Sequence, residues 1–221
     1  MSDRVMPARS RRKRRAILDA ALEAFLAGGY DAANLDAISS AAGVSKVTIY
    51  QHFGSKEGLF VALIEEEIHR AEHESDEYLE ARTDSPDVEE DLRSFAREFL
   101  ETVMSPHLVA MRRLVVATAP RFPALAEAWF RNGPERGYET LADLFRRLDE
   151  QGRLRVPDAR VAARAFTWLL LGAPLNEAMF RVDWAGSDPE QRAALADDAV
   201  EVFLMAYGRT GPRQADGEML P

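Results

Sequence analysis

"GVSKVTIYQHFGSKEGLF", residues 43–60, decides how this chain reads. Gly43 and Gly54 bracket a run too short for an ordinary helix but ordered in residue type. Val44 and Ile49 fall on one side. Ser45, Lys46, Val47, Thr48, Tyr50, Gln51 and His52 fall on the other. A tight turn between two steeply packed helices needs a residue that tolerates positive φ, and glycine does. The preceding "LDAISSAA", residues 35–42, supplies the first helix, with Asn34 as its cap. Leu35, Ile38, Ala42, Val44 and Ile49 then fall between the two helices. The outer face offers donors, acceptors and methyl groups, which is the chemistry that reads base edges in a major groove. Beyond Gly54, Ser55-Lys56-Glu57 opens a third helix, whose first-turn N–H groups and Lys56 make a place for a phosphate.

The charge distribution agrees with a polyanion-binding head. The whole chain of 221 residues carries a net charge of −9. Residues 1–60 nevertheless hold nine Lys and Arg against six Asp and Glu, whereas the remainder holds 19 Arg, no Lys and 31 Asp and Glu. A basic end on an acidic body suits a protein that presents one end to nucleic acid. With 47% hydrophobic and 29% charged residues, the composition is that of a globular protein with a sizeable core. The absence of cysteine excludes disulfides and thiolate metal sites. No apolar run is long enough to cross a bilayer, and the basic N-terminal stretch leads into an amphipathic segment rather than a signal sequence. The expected location is the cytoplasm, with no membrane partner.

Helical spacing recurs along the chain and strand signals are nearly absent, so the expected class is all-α. Helices are predicted at about 10–27 (stopped by Gly28-Gly29), 34–41, 45–53, 56–80, 87–104, 106–118, 122–131, 134–151, 158–181 and 188–208. Ser187 or Asp188 would cap the last, with Pro189 in its first turn. The expected organisation is a three-helix DNA-binding domain with a basic arm over 1–55. A long helix joins it to a larger ligand-binding and dimerisation domain over 56–208, and a Gly/Pro-rich tail over 209–221 reads as disordered.

The run "LDAISSAAGVSKVTIYQHFGSKEGLF" resembles the DNA-binding domain of the TetR family of transcriptional regulators, over residues 12–64. The stretches "LVVATAPRFPALAEAWFRNGPER" and "GRLRVPDARVAARAF" are similar to the C-terminal domain of its AefR-like subgroup. The resemblance implies a homodimer, a double-stranded DNA operator, a small-molecule effector bound in the larger domain, and control of transcription, most often repression. It places Lys46, Val47 and Thr48 against bases, with Ser45 on the same face. It sets Tyr50, His52 and Lys56 against phosphates, and Asn34 as a cap at the backbone. Asn34 stands where Thr is usual, and Val47 where Gly is frequent, which bears on the operator sequence.

Other readings draw on other residues. "HRAEH", residues 69–73, is an inverted zinc-protease pattern in form, with His69 and His73 one turn apart. No third ligand or substrate cleft accompanies it, so the expectation is no metal, no cofactor and no catalytic residue. A helical scaffold that does not bind DNA is the other alternative, and the intact Lys46, Thr48, Tyr50, His52 and Lys56 argue against it. For an effector, aromatic and polar groups that can converge between helices are Phe99, His107, Met111, Trp129, Trp168 and Asn176. For a dimer, Val161, Ala165, Trp168, Leu169 and Gly172 recur at helical spacing in one helix, and Leu195, Ala199, Val202, Phe203 and Ala206 in the last. Phe166, Leu170, Leu171 and Val200 are apolar surplus to one buried stripe.

Overall fold

The structure, a computed structural model, describes residues 7–80, 87–181, 183, 184, 186 and 188–209, with the backbone alone over 70–80. The stretch 81–86 between the expected helices 56–80 and 87–104, Ser187 and the tail beyond Arg209 lie outside the described residues. The described chain is all-α, in the order α1 (Ala8–Ala32), α2 (Leu35–Ala41), α3 (Lys46–Phe53), α4 (Lys56–Glu80), α5 (Val88–Val103), α6 (Pro106–Thr118), α7 (Pro123–Phe130), a π-helical turn (Arg131–Glu135), α8 (Arg136–Glu150), α9 (Ala159–Phe180) and α10 (Pro189–Tyr207). Local signals set most of the ends. Asp87, Asp158 and Asp188 each accept two main-chain N–H groups at the start of α5, α9 and α10, satisfying donors that have no partner inside the helix.

Two expected breaks are bends instead. α1 does not stop at Gly28-Gly29; it kinks at Gly29 (φ 74°) and continues to Ala32. The reason lies just beyond the kink, where Tyr30 is drawn into an aromatic cluster with Phe25, Phe60 and Phe122, at centroid distances of 5.9, 5.0 and 5.1 Å. Likewise α7 runs into α8 through Gly133 and Pro134. Proline removes one main-chain donor, and the wider π turn accommodates that without ending the helix.

The chain groups into two compact units, and neither is continuous in sequence. The first is Met1–Tyr78 with His107–Glu135; the second is Leu79–Pro106 with Arg136–Pro221. In the first unit the buried residues of α1 to α4 (Ile17, Leu18, Ala21, Phe25, Ile38, Ile49, Leu59, Phe60, Leu63, Ile64) form one core with Met111, Leu114, Val115, Phe122 and Leu125. The contacts of α6 and α7 therefore put them with the head helices.

The second unit packs α5, α8, α9 and α10 together. The rings of Phe95, Phe145, Phe166 and Phe203 form its centre, with Phe166 5.6 Å from Phe145 and 5.0 Å from Phe203. A short antiparallel bridge from Leu154 to Gly208 ties the α8–α9 turn to the end of α10. Ala196, Ala199, Val200 and Phe203 form the stripe by which α10 packs inside its own unit, as do Phe166 and Leu170 on α9. Ala199 and Phe203 are thus core residues here, not part of an outward face as the sequence pattern suggested. The apolar residues left exposed are Val161, Trp168, Leu169 and Phe180 on α9 and Val202 and Met205 on α10.

Arginine at Ala199 is expected to unfold the second unit, since a buried unpaired charge costs on the order of 3–5 kcal/mol. Arginine at Val202, three residues away and half exposed within its own chain, should leave the unit's own fold within about 0.5 kcal/mol of the parent when measured at concentrations where both are monomeric. Urea denaturation of the two variants tests this difference.

Candidate nucleic-acid interface

α3 has eight residues and is held at both ends by its own sequence. Gly43 adopts φ 63° in the turn from α2. The Ser45 hydroxyl then accepts the Thr48 main-chain N–H at 3.2 Å and lies 2.9 Å from the Thr48 hydroxyl. At the other end Gly54 adopts φ 75° and its N–H closes on the Tyr50 carbonyl at 2.8 Å. Asn34 caps α2 by accepting the Asp36 N–H at 2.8 Å. Leu35, Ile38 and Ile49 are buried between the two helices, and Ala42 and Val44 pack against the same core. This is a helix-turn-helix.

With Ile49 at 0% exposure, the opposite side of α3 faces out. Val47 is 62% and Tyr50 46% exposed, and Lys46 and Gln51 are exposed beside them. Thr48 and His52 are half-buried at the flanks, with the His52 ring 5.9 Å from that of Phe53. Phe53 turns inward, half-buried, with the Arg14 guanidinium 5.8 Å over its ring. Arg9, Arg12 and Lys13 are exposed at the start of α1.

The two lysines differ. Lys46 donates to the Asp36 carboxylate at 3.0 Å, and this bond raises the ammonium pKa above its ordinary value, so Lys46 stays charged while bracing α3 against α2. Lys56, in the first turn of α4, donates to the Asp31 carbonyl at 3.0 Å. Beside it the Ser55 hydroxyl accepts the Gly58 N–H at 2.9 Å.

The profile of bacterial regulatory proteins of the tetR family matches residues 17–63, and that of the AefR-like transcriptional repressor C-terminal domain matches residues 90–209. The second match alone spans more than half of the chain. The chain belongs to the TetR family of transcriptional regulators. A solved TetR-family regulator of Mesorhizobium loti superposes with a TM-score of 0.83 at 33% identity, covering 92% of this chain and 100% of that one. The flavonoid-responsive regulator FrrA gives a TM-score of 0.63 at 32% identity, covering 90% and 99%. An HTH-type transcriptional repressor of Mycobacterium tuberculosis is 26% identical over 84% of this chain and 89% of its own length. The activator FasR of Mycolicibacterium smegmatis is 45% identical, but over only 25% of this chain and 26% of its own. These relatives are DNA-binding regulators of transcription rather than enzymes.

As in other TetR proteins, the rest of the chain is where an effector would be sought. The six residues singled out for it fall in both units. Met111 is fully buried in the first unit's core, Trp129 half-buried, and His107 exposed while its Nε2 lies 2.9 Å from the buried carboxylate of Glu67. In the second unit Phe99 is half-buried and Trp168 and Asn176 are exposed. None of the six lines the second unit's crevice of about 30 Å³ between α5 and α8, where Asp91 and Arg153 lie 3.9 Å apart. That volume suits one or two waters rather than an effector. Of the "HRAEH" histidines, His69 is exposed and the His73 side chain lies outside the described residues.

A residue missed in the sequence reading completes this TetR head. A Cβ on Gly58 would sit 2.1 Å from the Phe53 carbonyl oxygen, so only glycine lets the first turn of α4 close against the end of α3. Its signal was the glycine in "KEGLF", one turn into a helix where propensity disfavours it. Gly58→Ala should push the two helices apart, lowering operator affinity by about tenfold or more and stability by on the order of 1–3 kcal/mol. Gel shifts paired with thermal melting measure both, and an unchanged affinity would contradict the proposed seating.

Proposed function

We propose that this TetR regulator represses transcription by placing α3 in the major groove of a palindromic operator and is released by a hydrophobic or aromatic small molecule. The observation that carries the DNA half is the rigid, outward face of α3, clamped between Gly43 and Gly54 with its apolar side buried. On this reading Lys46, Val47 and Thr48, with Ser45, meet base edges, and Tyr50, His52 and Lys56 hold backbone phosphates. Asn34 keeps α2 in place. The functional division follows residues 1–55 for DNA and 56–208 for effector and dimer. Repression is favoured over activation because similarity to the Mycobacterium tuberculosis repressor extends along most of the chain, whereas similarity to FasR spans only its quarter.

A palindrome needs a two-fold protein. The exposed apolar residues of α9 and α10, from Val161 and Trp168 to Val202 and Met205, supply a self-complementary surface whose burial against a second copy would remove them from water. Effector release is supported by the flavonoid response of the similar regulator FrrA. Of the six residues, His107, Met111 and Trp129, which share the first unit, remain the proposed contacts, with the Glu67–His107 pair as their polar element.

The DNA half is tested by gel shift on the region upstream of the protein's own gene. Tyr50→Ala should weaken all sequences on the order of tenfold, as loss of a hydrogen bond to a charged group does. Thr48→Ala should change preference at one half-site position by about 1 kcal/mol. The logarithm of affinity should fall linearly with the logarithm of salt, by about 0.9 per phosphate neutralised. Tyr50→Ala binding as tightly as the parent would mean that α3 is oriented otherwise.

The effector half is tested by tryptophan fluorescence. A flavonoid or another aromatic compound that enters beside Trp129 should quench emission over the same concentrations that release DNA. Compounds of this class that do neither would remove the support for this effector class.

A further inference from the structure

Tyr30 stands where three segments of the first unit meet: the kinked end of α1, the start of α4 and the α6–α7 turn. Its ring is buried, edge-on to Phe60 at 5.0 Å and Phe122 at 5.1 Å. Two cations approach that one ring. Lys56 Nζ lies 5.0 Å from the centroid and the Arg121 guanidinium carbon 4.6 Å. The same two side chains divide the oxygens of the next residue. Lys56 donates to the main-chain carbonyl of Asp31 at 3.0 Å, and Arg121 Nη1 lies 3.5 Å from the Asp31 carboxylate. The Asp31 side chain is otherwise 93% exposed.

We infer that Arg121, in the α6–α7 turn and outside the helix-turn-helix domain, is a positioning residue for DNA binding. It holds the Asp31 carboxylate away from Lys56 and so leaves that ammonium to a backbone phosphate. The inference rests on the reading of Lys56 as a phosphate contact. An ammonium has three N–H groups, and the Asp31 carbonyl takes one. The carboxylate on the same residue is a competitor for the other two, because the Lys56–carbonyl bond holds Asp31 beside the ammonium. A carboxylate that pairs with Lys56 cancels the charge a phosphate requires. Arginine suits this post because its planar guanidinium can lie on the Tyr30 ring while an N–H of its fork faces the carboxylate. Arg121 is also neighbour to Phe122, which anchors the turn in the head's core, so the guanidinium is delivered from a fixed base.

The test uses the full-length protein and the operator duplex, with affinities measured over a salt series. Arg121→Ala should weaken binding about three- to fivefold, the effect of a surface ion pair, and reduce the steepness of the salt dependence by about 0.9. Adding Asp31→Asn to it should restore the parental affinity, since the carboxylate that Arg121 held is then gone. In a Lys56→Ala background Arg121→Ala should cost nothing more. Thermal melting accompanies each variant, and Arg121→Gln, which keeps most of the side-chain stem, replaces Arg121→Ala if the latter melts early. The inference is overturned by parental affinity in Arg121→Ala, by a loss that Asp31→Asn does not restore, or by losses from Lys56 and Arg121 that simply add. Parental affinity in Lys56→Ala would instead overturn the phosphate reading, and this inference with it.

Discussion

An eight-residue helix cannot hold itself together in water, where even good helix formers need roughly 12–15 residues. Everything about the DNA-binding end of this protein answers that constraint. Ser45 and Gly54 close the termini of α3, and Ile49 pins its middle to the core. Gly58 lets α4 come up against its last carbonyl, and Lys46 ties its first turn to Asp36 on α2. With its apolar side and both ends so committed, α3 presents the remaining face in one orientation. A reader of base edges needs that rigidity, because each donor must meet its acceptor within a few tenths of an ångström.

The same core extends past the helix-turn-helix. Met111, Leu114, Val115, Phe122 and Leu125 are buried with residues of α1 to α4, and Arg121 and Lys56 share the ring of Tyr30. Any change in α6 or α7 is therefore felt by the residues that seat α4, and α4 seats α3. Linkage requires that an effector distinguish two arrangements of the protein if it is to alter DNA affinity. Helices packed directly on the head are economical places for such a distinction. The buried Glu67 carboxylate facing His107 across α4 and α6 adds a polar contact in that region.

In the second unit, packing has divided the apolar residues of α9 and α10 between two tasks. One stripe on each helix fills the unit's own core around Phe145, Phe166 and Phe203. The other, from Val161 to Phe180 and at Val202 and Met205, faces outward. The acidic composition of the chain after residue 60 fits the same economy, since a body that repels DNA leaves only the basic end to approach it.

Helix positions, caps and the helix-turn-helix were legible in the sequence because their causes are local. Gly43 and Gly54 take the positive φ their turns need, Asn34 and Asp188 supply the capping oxygens expected of them, and Ile49 falls at the one spacing that buries it. Even the all-α class needed no more than periodicity. Tertiary structure alone decided which buried surface meets which. Apolar spacing marks Ala199 and Val202 alike as candidates for burial; only packing of α10 on α5 and α9 puts the first inside and leaves the second out. Gly29 reads as a stop until Tyr30 is seen drawn into the aromatic cluster beyond it. Nor does any local signal put Arg121 beside Asp31, 90 positions earlier in the chain, since side chains this far apart meet only when the segments carrying them share a core.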